Sequence, residues 1–359
     1  MVEASFVDQL YLFSQNSGVN FNLTFPKFLV PFRQSNVKKN VSPHSFVDGG
    51  VNFLRRRDYF SLQSTAVGLG YRWRPSRNTQ WTLRPIFVNN LSLSNISDVF
   101  AARMDSIPAI KNSYQEVFIE GENVEFLYNT EGVKPNKHMW LKMGFEEAGL
   151  LMRGVNGIYK EMYPDKNNLN YAEHIRFDFD FRQYYNLANS KFAFRFYGGI
   201  GIPYGSATTL PYIKQYFVGG AYSIRGWRPR VLGPGSYYDA ANQSSRDKLF
   251  IDQAGDIKLE WNAEYRFPMV VLFSGAISIN GAFFADAGNI WLAKKDDRLP
   301  GAHFEIENLY KELALSYGAG LRFDLGGFLV VRLDYALQGK KPYVEKNAGW
   351  TIAETQLGN

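Results

Sequence analysis

The sequence predicts an all-β fold, a transmembrane antiparallel β-barrel, from three observations. Polarity alternates with a period of two, the apolar side of that alternation is heavily aromatic, and short connections alternate with long ones. From Asp256 to Phe267 the even positions are Asp256, Lys258, Glu260, Asn262, Glu264 and Arg266, and the odd ones are Ile257, Leu259, Trp261, Ala263, Tyr265 and Phe267. Successive strand side chains point to opposite sides, so one face is wholly polar and the other apolar. A soluble sandwich also alternates, but such a run of inward charges would leave it no core on that side.

The same rule reads the other elements in order. Val19–Phe25, Phe46–Arg55, Thr65–Arg74, Gln80–Leu91, Gln115–Tyr128 and Lys137–Leu151 are strands in the first half. Ile175–Arg182 follows, with Arg176, Asp178, Asp180 and Arg182 opposite Ile175, Phe177, Phe179 and Phe181. Phe192–Phe196, Asp256–Phe267, Ser278–Ala287, Leu313–Phe323 and Leu329–Tyr335 bring the number to twelve. Val2–Phe13 alternates poorly and leaves a thirteenth open. Pro75–Thr79, Asn129–Asn136, Asn186–Ser190 and Asp324–Gly327 are short turns, whereas Ser92–Tyr114, Arg153–Asn170, Pro203–Gly255 and Asn289–Glu312 are long. Outer-membrane barrels carry short turns on one side and long loops on the other. Tyr71, Trp73, Trp81, Tyr265 and Trp291 lie near strand ends, where amphipathic rings settle at a membrane interface.

Composition bounds the rest. Among 359 residues, Phe 29, Tyr 22 and Trp 7 make 16% of the chain, yet the longest nearly apolar run, Met269 to Ile279, is eleven residues. A spanning helix needs about twenty. The net charge of +6 comes from 40 basic and 34 acidic residues spread along the chain, with no basic stripe to track a phosphate backbone, so no nucleic-acid partner is expected. Cys is absent, which excludes a disulfide framework and a thiolate zinc site. His44, His138, His174 and His303 are scattered, with no Ser/His/acid or metal pattern and no nucleophile elbow, so neither an enzyme nor a metal or cofactor site is expected. His174 reads as a polar lumen or rim residue. The acids Glu120–Glu125 and Glu146-Glu147 read as solvated strand ends, and Lys38-Lys39 and Arg55-Arg56-Arg57 as turn or rim charges. Met1–Ser5 has no charged or apolar leader, so the chain reads as a piece of a longer or engineered protein.

The long loop carries the functional signal. Gly219-Gly220-Ala221-Tyr222-Ser223-Ile224-Arg225-Gly226-Trp227 sets an arginine among glycines, which permit tight turns and close approach. Arginine's planar fork suits it to grip two carboxylates. Glu264, and Phe284 with Asp286 on the next strand, have inward parity. A loop tip in the lumen would set Arg225 against both acids. Spacing alone leaves a second reading open, in which Arg225 tips a solvated loop and the acids merely line a pore.

Ile224-Arg225-Gly226-Trp227 resembles the V/I-R-G-F/Y motif in the sixth extracellular loop of the BamA/TamA-type outer-membrane assembly factors (bacterial surface antigen superfamily). Phe284-Ala285-Asp286-Ala287-Gly288-Asn289-Ile290-Trp291 is similar to their F-x-D-x-G-x-x-W strand, and Glu264 matches the glutamate on the strand before it. Ser316–Arg322 and Arg332–Tyr335 fit the closing region, and the first third matches less well. The resemblance implies a sixteen-stranded barrel in the bacterial outer membrane, preceded by POTRA domains and non-enzymatic, that inserts or translocates proteins. Residues 1–359 would be part of that barrel, with POTRA domains, first strands and last strand absent, and residues 203–254 would form the lumen-folded loop. Ile224, Arg225, Gly226 and Trp227 would be the lock, and Glu264, Phe284, Asp286 and Gly288 its lumen partners. Expected partners are outer-membrane lipids, unfolded outer-membrane or secreted clients, and accessory assembly subunits. A two-partner-secretion-type transporter, which shares the loop motif, or a passive pore is the alternative.

Overall fold

The computed structural model describes residues 2–7, 9–29, 41–57, 59–134, 136–162, 169–238 and 252–351. Lys38, Lys39 and residues 239–251 of the long loop therefore lie outside the described residues. Among the described residues, thirteen strands follow one another in a single antiparallel meander in which each pairs with its sequence neighbours. They are β1 Val2–Val7, β2 Gln9–Phe25, β3 His44–Arg56, β4 Phe60–Ser76, β5 Thr79–Ser94, β6 Val117–Asn129 and β7 Lys137–Ala148. The series continues with β8 His174–Asn186, β9 Lys191–Pro203, β10 Ile257–Leu272, β11 Ile277–Trp291, β12 Ala314–Leu325 and β13 Leu329–Lys340. The weakly alternating N-terminal stretch holds β1 and the start of β2. Among the described residues β1 and β13 do not pair, so the sheet is not closed by hydrogen bonds, contrary to the closure expected of a barrel.

Contacts divide the chain into two units. The first comprises residues 1–127, 143–177 and 201–214. Along β2 the apolar side chains Val19, Phe21 and Leu23 are exposed and alternate with Asn20 and Asn22. β3 keeps the same parity, with Phe53 exposed, while Phe46 lies on the other face opposite Thr24 and is buried, with the Arg72 and Arg84 guanidinium carbons 5.0 and 5.2 Å from its ring centre. The connection after β5 is not an open loop but two helices, α1 Asp98–Ser106 and α2 Pro108–Ser113. Ser97 Oγ accepts the Phe100 N–H and caps α1. Pro108 opens α2, where its missing N–H leaves no helical bond unmade. Capping α1 seats Phe100 in an aromatic cluster, 5.1 Å from Phe60 and 5.0 Å from Tyr114, with Tyr212 4.6 Å from Tyr114. The connection after β7 also contains a helix, α3 Leu150–Met162.

The second unit comprises residues 128–142, 178–200 and 215–359. Its strands β9 to β13 pair in sequence order, with register shifts between Pro268 and Val270 and between Leu315 and Ser316. Glu264 lies opposite Phe284, Asn262 opposite Asp286 and Glu260 opposite Gly288. Asp286 in turn faces Ser316, which faces Gln338. Trp261, Phe283, Leu333 and Tyr335 are exposed on the apolar face. On the polar face, Tyr216, Val218, Ile224, Trp227 and Leu232 of the loop bury themselves with Ile290 and Ala314 of the strands. A short helix, α4 Leu309–Glu312, precedes β12.

Three sequence expectations are corrected. Trp291 is not an interfacial ring: it is fully buried and its Nε1 donates to Glu312 at 2.6 Å. Glu120 is not solvated but 4% exposed, and its carbonyl accepts the Gly149 N–H where the chain leaves β7. Arg56 is a buried residue, not a rim charge, since Ser14 of β2 pairs across it.

Candidate functional site

The site lies in the second unit, where the loop meets the polar face of β10–β13. A hairpin-like turn presents Arg225: Gly220 N donates to the Trp227 carbonyl, and Trp227 N donates to the Ile224 carbonyl. Gly219 and Gly220 have φ of 96° and 91°, a region that disfavours side chains, and a Cβ on Gly219 would fall 2.2 Å from the Arg228 carbonyl oxygen. Ile224 and Trp227, buried in the loop core, hold the turn from either side.

Arg225 then uses its whole fork. Nε and Nη2 donate side-on to the two oxygens of Asp286 at 2.9 and 2.8 Å, and Nη1 donates to Glu264 at 2.8 Å. Its backbone N–H also donates to Asp286, at 3.1 Å. The Phe284 ring lies under the guanidinium, 3.5 Å from its central carbon. The side chains are 6% exposed for Arg225, 10% for Glu264 and 0% for Asp286, so water screens the clasp little.

The clasp is one part of a wider network. Glu264 also accepts from Arg266 and Arg322, both at 2.8 Å, and Arg322 reaches Asp334 at 2.6 Å, which Arg332 meets at 3.1 Å. Four guanidinium groups thus surround three carboxylates, and the surplus positive charge leaves neither Glu264 nor Asp286 uncompensated. Asn262 donates to both Asp286 and the Ser223 carbonyl, and Gln338 donates to the Gly226 carbonyl at 2.8 Å. A second ion pair braces the loop's approach: Ser223 Oγ donates to Glu260, which Arg195 Nη1 reaches at 2.8 Å while Arg195 Nε holds Asp180 at 3.1 Å. Every element from β8 to β13 contributes a polar side chain.

The eight residues singled out in the sequence fall together here. Gly226 is the close-approach residue, since a Cβ on it would lie 2.7 Å from Ser316 Cβ. Gly288 touches no ligand of Arg225 but lets β10 and β11 close: its Cβ would fall 2.3 Å from the Leu259 carbonyl oxygen and 2.9 Å from Glu260 Cα. Gly288→Ala should therefore cost about 1–3 kcal/mol through overpacking against backbone, seen as a lower urea midpoint in lipid vesicles. An unchanged midpoint would mean that the strand pair absorbs the methyl group. Sequence reasoning missed Ser223, Glu260, Asn262, Ser316 and Gln338 as parts of the network. All but Ser223 have inward parity, the signal that was there, but parity gives a face and not a partner.

Sequence reasoning also missed a polar group in the first unit. His174, fully buried, meets Glu146 at 3.1 Å, and Lys214 pairs with the same carboxylate at 2.5 Å. Glu146 is therefore no solvated strand end, because the chain that follows β9 delivers Lys214 onto it.

A charged face lined by a clasped loop, opposite a face of exposed aromatic rings, defines the class: an outer-membrane β-barrel protein whose loop is anchored by ion pairs. The profile of the Omp85 superfamily domain matches residues 165–352, more than half of the chain, and the chain belongs to that superfamily. Its place is the bacterial outer membrane. Over 114 residues it is 30% identical to the outer membrane protein assembly factor BamA of Neisseria meningitidis serogroup B (strain ATCC BAA-335 / MC58), a match covering 31% of this chain and 13% of that relative. The structure of BamA from Haemophilus ducreyi lacking POTRA domains 1–3 aligns with a TM-score of 0.63 at 14% identity, over 91% of this chain and 59% of that one. That likeness shows a shared fold. CdiB from Escherichia coli aligns at 12% identity with a TM-score of 0.47, over 94% of this chain and 63% of that one. The chain thus spans well under two thirds of the BamA chains it matches.

Proposed function

We propose that these residues form part of the barrel of an outer-membrane assembly factor, which inserts or translocates unfolded protein clients and makes or breaks no covalent bond. Its partners would be outer-membrane lipids, outer-membrane or secreted clients, and accessory assembly subunits. Residues 203–254 would be its lumen-folded loop, and Ile224–Trp227 with Glu264, Phe284, Asp286 and Gly288 the lock. Membership of the Omp85 superfamily and the likeness to BamA support the reading. The single observation that carries it is the side-on clasp of Arg225 by Asp286, with Glu264 taking the remaining arm.

The mechanism follows from what such a clasp does. A barrel that admits a client strand must open a seam, where exposed backbone N–H and C=O groups pair with the incoming edge. Opening costs those groups their partners inside a bilayer, where water cannot replace them. A loop bolted to the strands β10 to β13 would keep the remainder of the wall in register while the seam yields. The protein thereby lowers the barrier to insertion by templating and by local thinning of the bilayer.

The experiment is reconstitution. The whole protein, in vesicles of outer-membrane phospholipids, should accelerate folding of a urea-denatured barrel client over empty vesicles, read as acquisition of a heat-modifiable, protease-resistant band. Ion conductance without that acceleration would point instead to a passive pore, and export of a soluble partner without barrel insertion to a secretion transporter.

A further inference from the structure

We infer that α3 is a membrane-interfacial helix, which lays the stripe Leu151, Val155, Ile158 and Met162 into the lipid beside the strands it connects. The sequence of Leu150–Met162 is strongly amphipathic: at 100° per residue those four side chains fall on one narrow face, and Arg153, Asn156 and Lys160 on the opposite one. In a water-soluble protein the apolar stripe of such a helix turns inward and the polar face meets solvent. Here the arrangement is reversed. No residue of α3 is buried, and Leu151, Val155, Ile158 and Met162 are 49%, 49%, 59% and 63% exposed.

The polar face is what fastens α3 to the protein. Arg153 Nε reaches Glu173 at 3.2 Å and its guanidinium lies 5.6 Å from the Tyr204 ring centre. Asn156 Oδ1 accepts the Leu169 N–H at 3.0 Å. The start is fixed as well: Gly149, at φ 104°, turns the chain out of β7 and donates its N–H to the Glu120 carbonyl, where a Cβ would strike the Ala172 carbonyl oxygen at 2.5 Å. With Arg153 and Asn156 tied to the protein, the apolar stripe is held outward.

Lipid is the occupant that fits. The exposed apolar side chains flanking α3 along the chain, Phe145 on β7 and Ile175 and Phe177 on β8, belong to the outward face of a sheet whose place is the outer membrane. The stripe extends that lipid-facing surface. Thirteen residues make a helix of about 20 Å, too short to span but suited to lying in the interface plane, as helices with one apolar face do. Long loops lie on the outer side of such barrels, so the leaflet is the outer one.

These 359 residues hold no cysteine, so single-cysteine probes are clean once any cysteine elsewhere in the whole protein is changed to serine. Ile158→Cys and Gly157→Cys, the latter at an exposed position where a Cβ meets nothing within 4 Å, would each carry an environment-sensitive fluorophore. The whole protein would be reconstituted in phosphatidylethanolamine/phosphatidylglycerol vesicles with nitroxide-bearing lipid. The expected result is blue-shifted emission and lipid-nitroxide quenching at 158, with iodide quenching at 157. Equal iodide quenching at both positions would overturn the inference. So would a probe at 158 shielded from both quenchers that cross-links between copies, because the stripe would then be covered by protein.

Discussion

Arg225→Ala is expected to leave the strands paired while freeing the loop, at a cost of about 3–5 kcal/mol, the range for removing one partner of a buried ion pair. The loss arises chiefly at Asp286, whose side chain is fully buried and, among the described residues, would keep Asn262, Ser316 and one backbone N–H. Glu264 retains Arg266 and Arg322, which holds the penalty toward the lower end of the range. Arg225→Lys should recover part of the loss, since a single ammonium cannot make the side-on pair and also reach Glu264. Protease accessibility of residues 218–232 in vesicles, alongside far-UV circular dichroism, measures both halves of the prediction. A loop as protected as in the unaltered protein would refute the lock. Normal client assembly with a freed loop would refute only its bracing role.

The second large effect is on the opposite face. Phe179 packs 5.8 Å from Phe196, which lies 5.1 Å from Trp261, in an aromatic row on the outward side of β8, β9 and β10. Phe179→Arg places a charge in hydrocarbon and should destabilise the fold by about 2–4 kcal/mol if the site is near mid-membrane. Loss of the ring contact adds about 0.5–1.5 kcal/mol. Phe179→Leu keeps the face apolar and should lose far less. Urea titration in lipid vesicles reads the difference, and equal midpoints for the two variants would contradict the outward assignment.

The alternation at Asp256–Phe267 and Ile175–Arg182 was enough to place strands and faces, because the period of two is a property of a few consecutive residues and needs no partner. An arginine among glycines followed by acids of inward parity marked the candidate residues, but that pattern left a solvated loop tip open, and the lock was what the resemblance to the assembly factors implied. What parity leaves out is register. Whether Arg225 meets Glu264 and Asp286, and whether Arg322, Asp334, Asn262 and Glu260 complete the network, depends on how β9 to β13 slide past one another and where the loop descends.

The errors share that origin. Trp291 sits at a strand end, which suggested an interface, but only the path of the chain to Glu312 decides that its ring is enclosed. Glu120 and Glu146 look like solvated ends until Gly149 and Lys214 arrive from distant stretches. The helix Leu150–Met162 was passed over because its first two residues closed the strand-like run Lys137–Leu151 and nearly all the rest fell in the long connection Arg153–Asn170. Local sequence settled which backbone shapes and faces this chain can form. Tertiary structure decided which charges meet and which apolar stripe stays uncovered, because those outcomes depend on residues far apart in the chain being held at fixed distances.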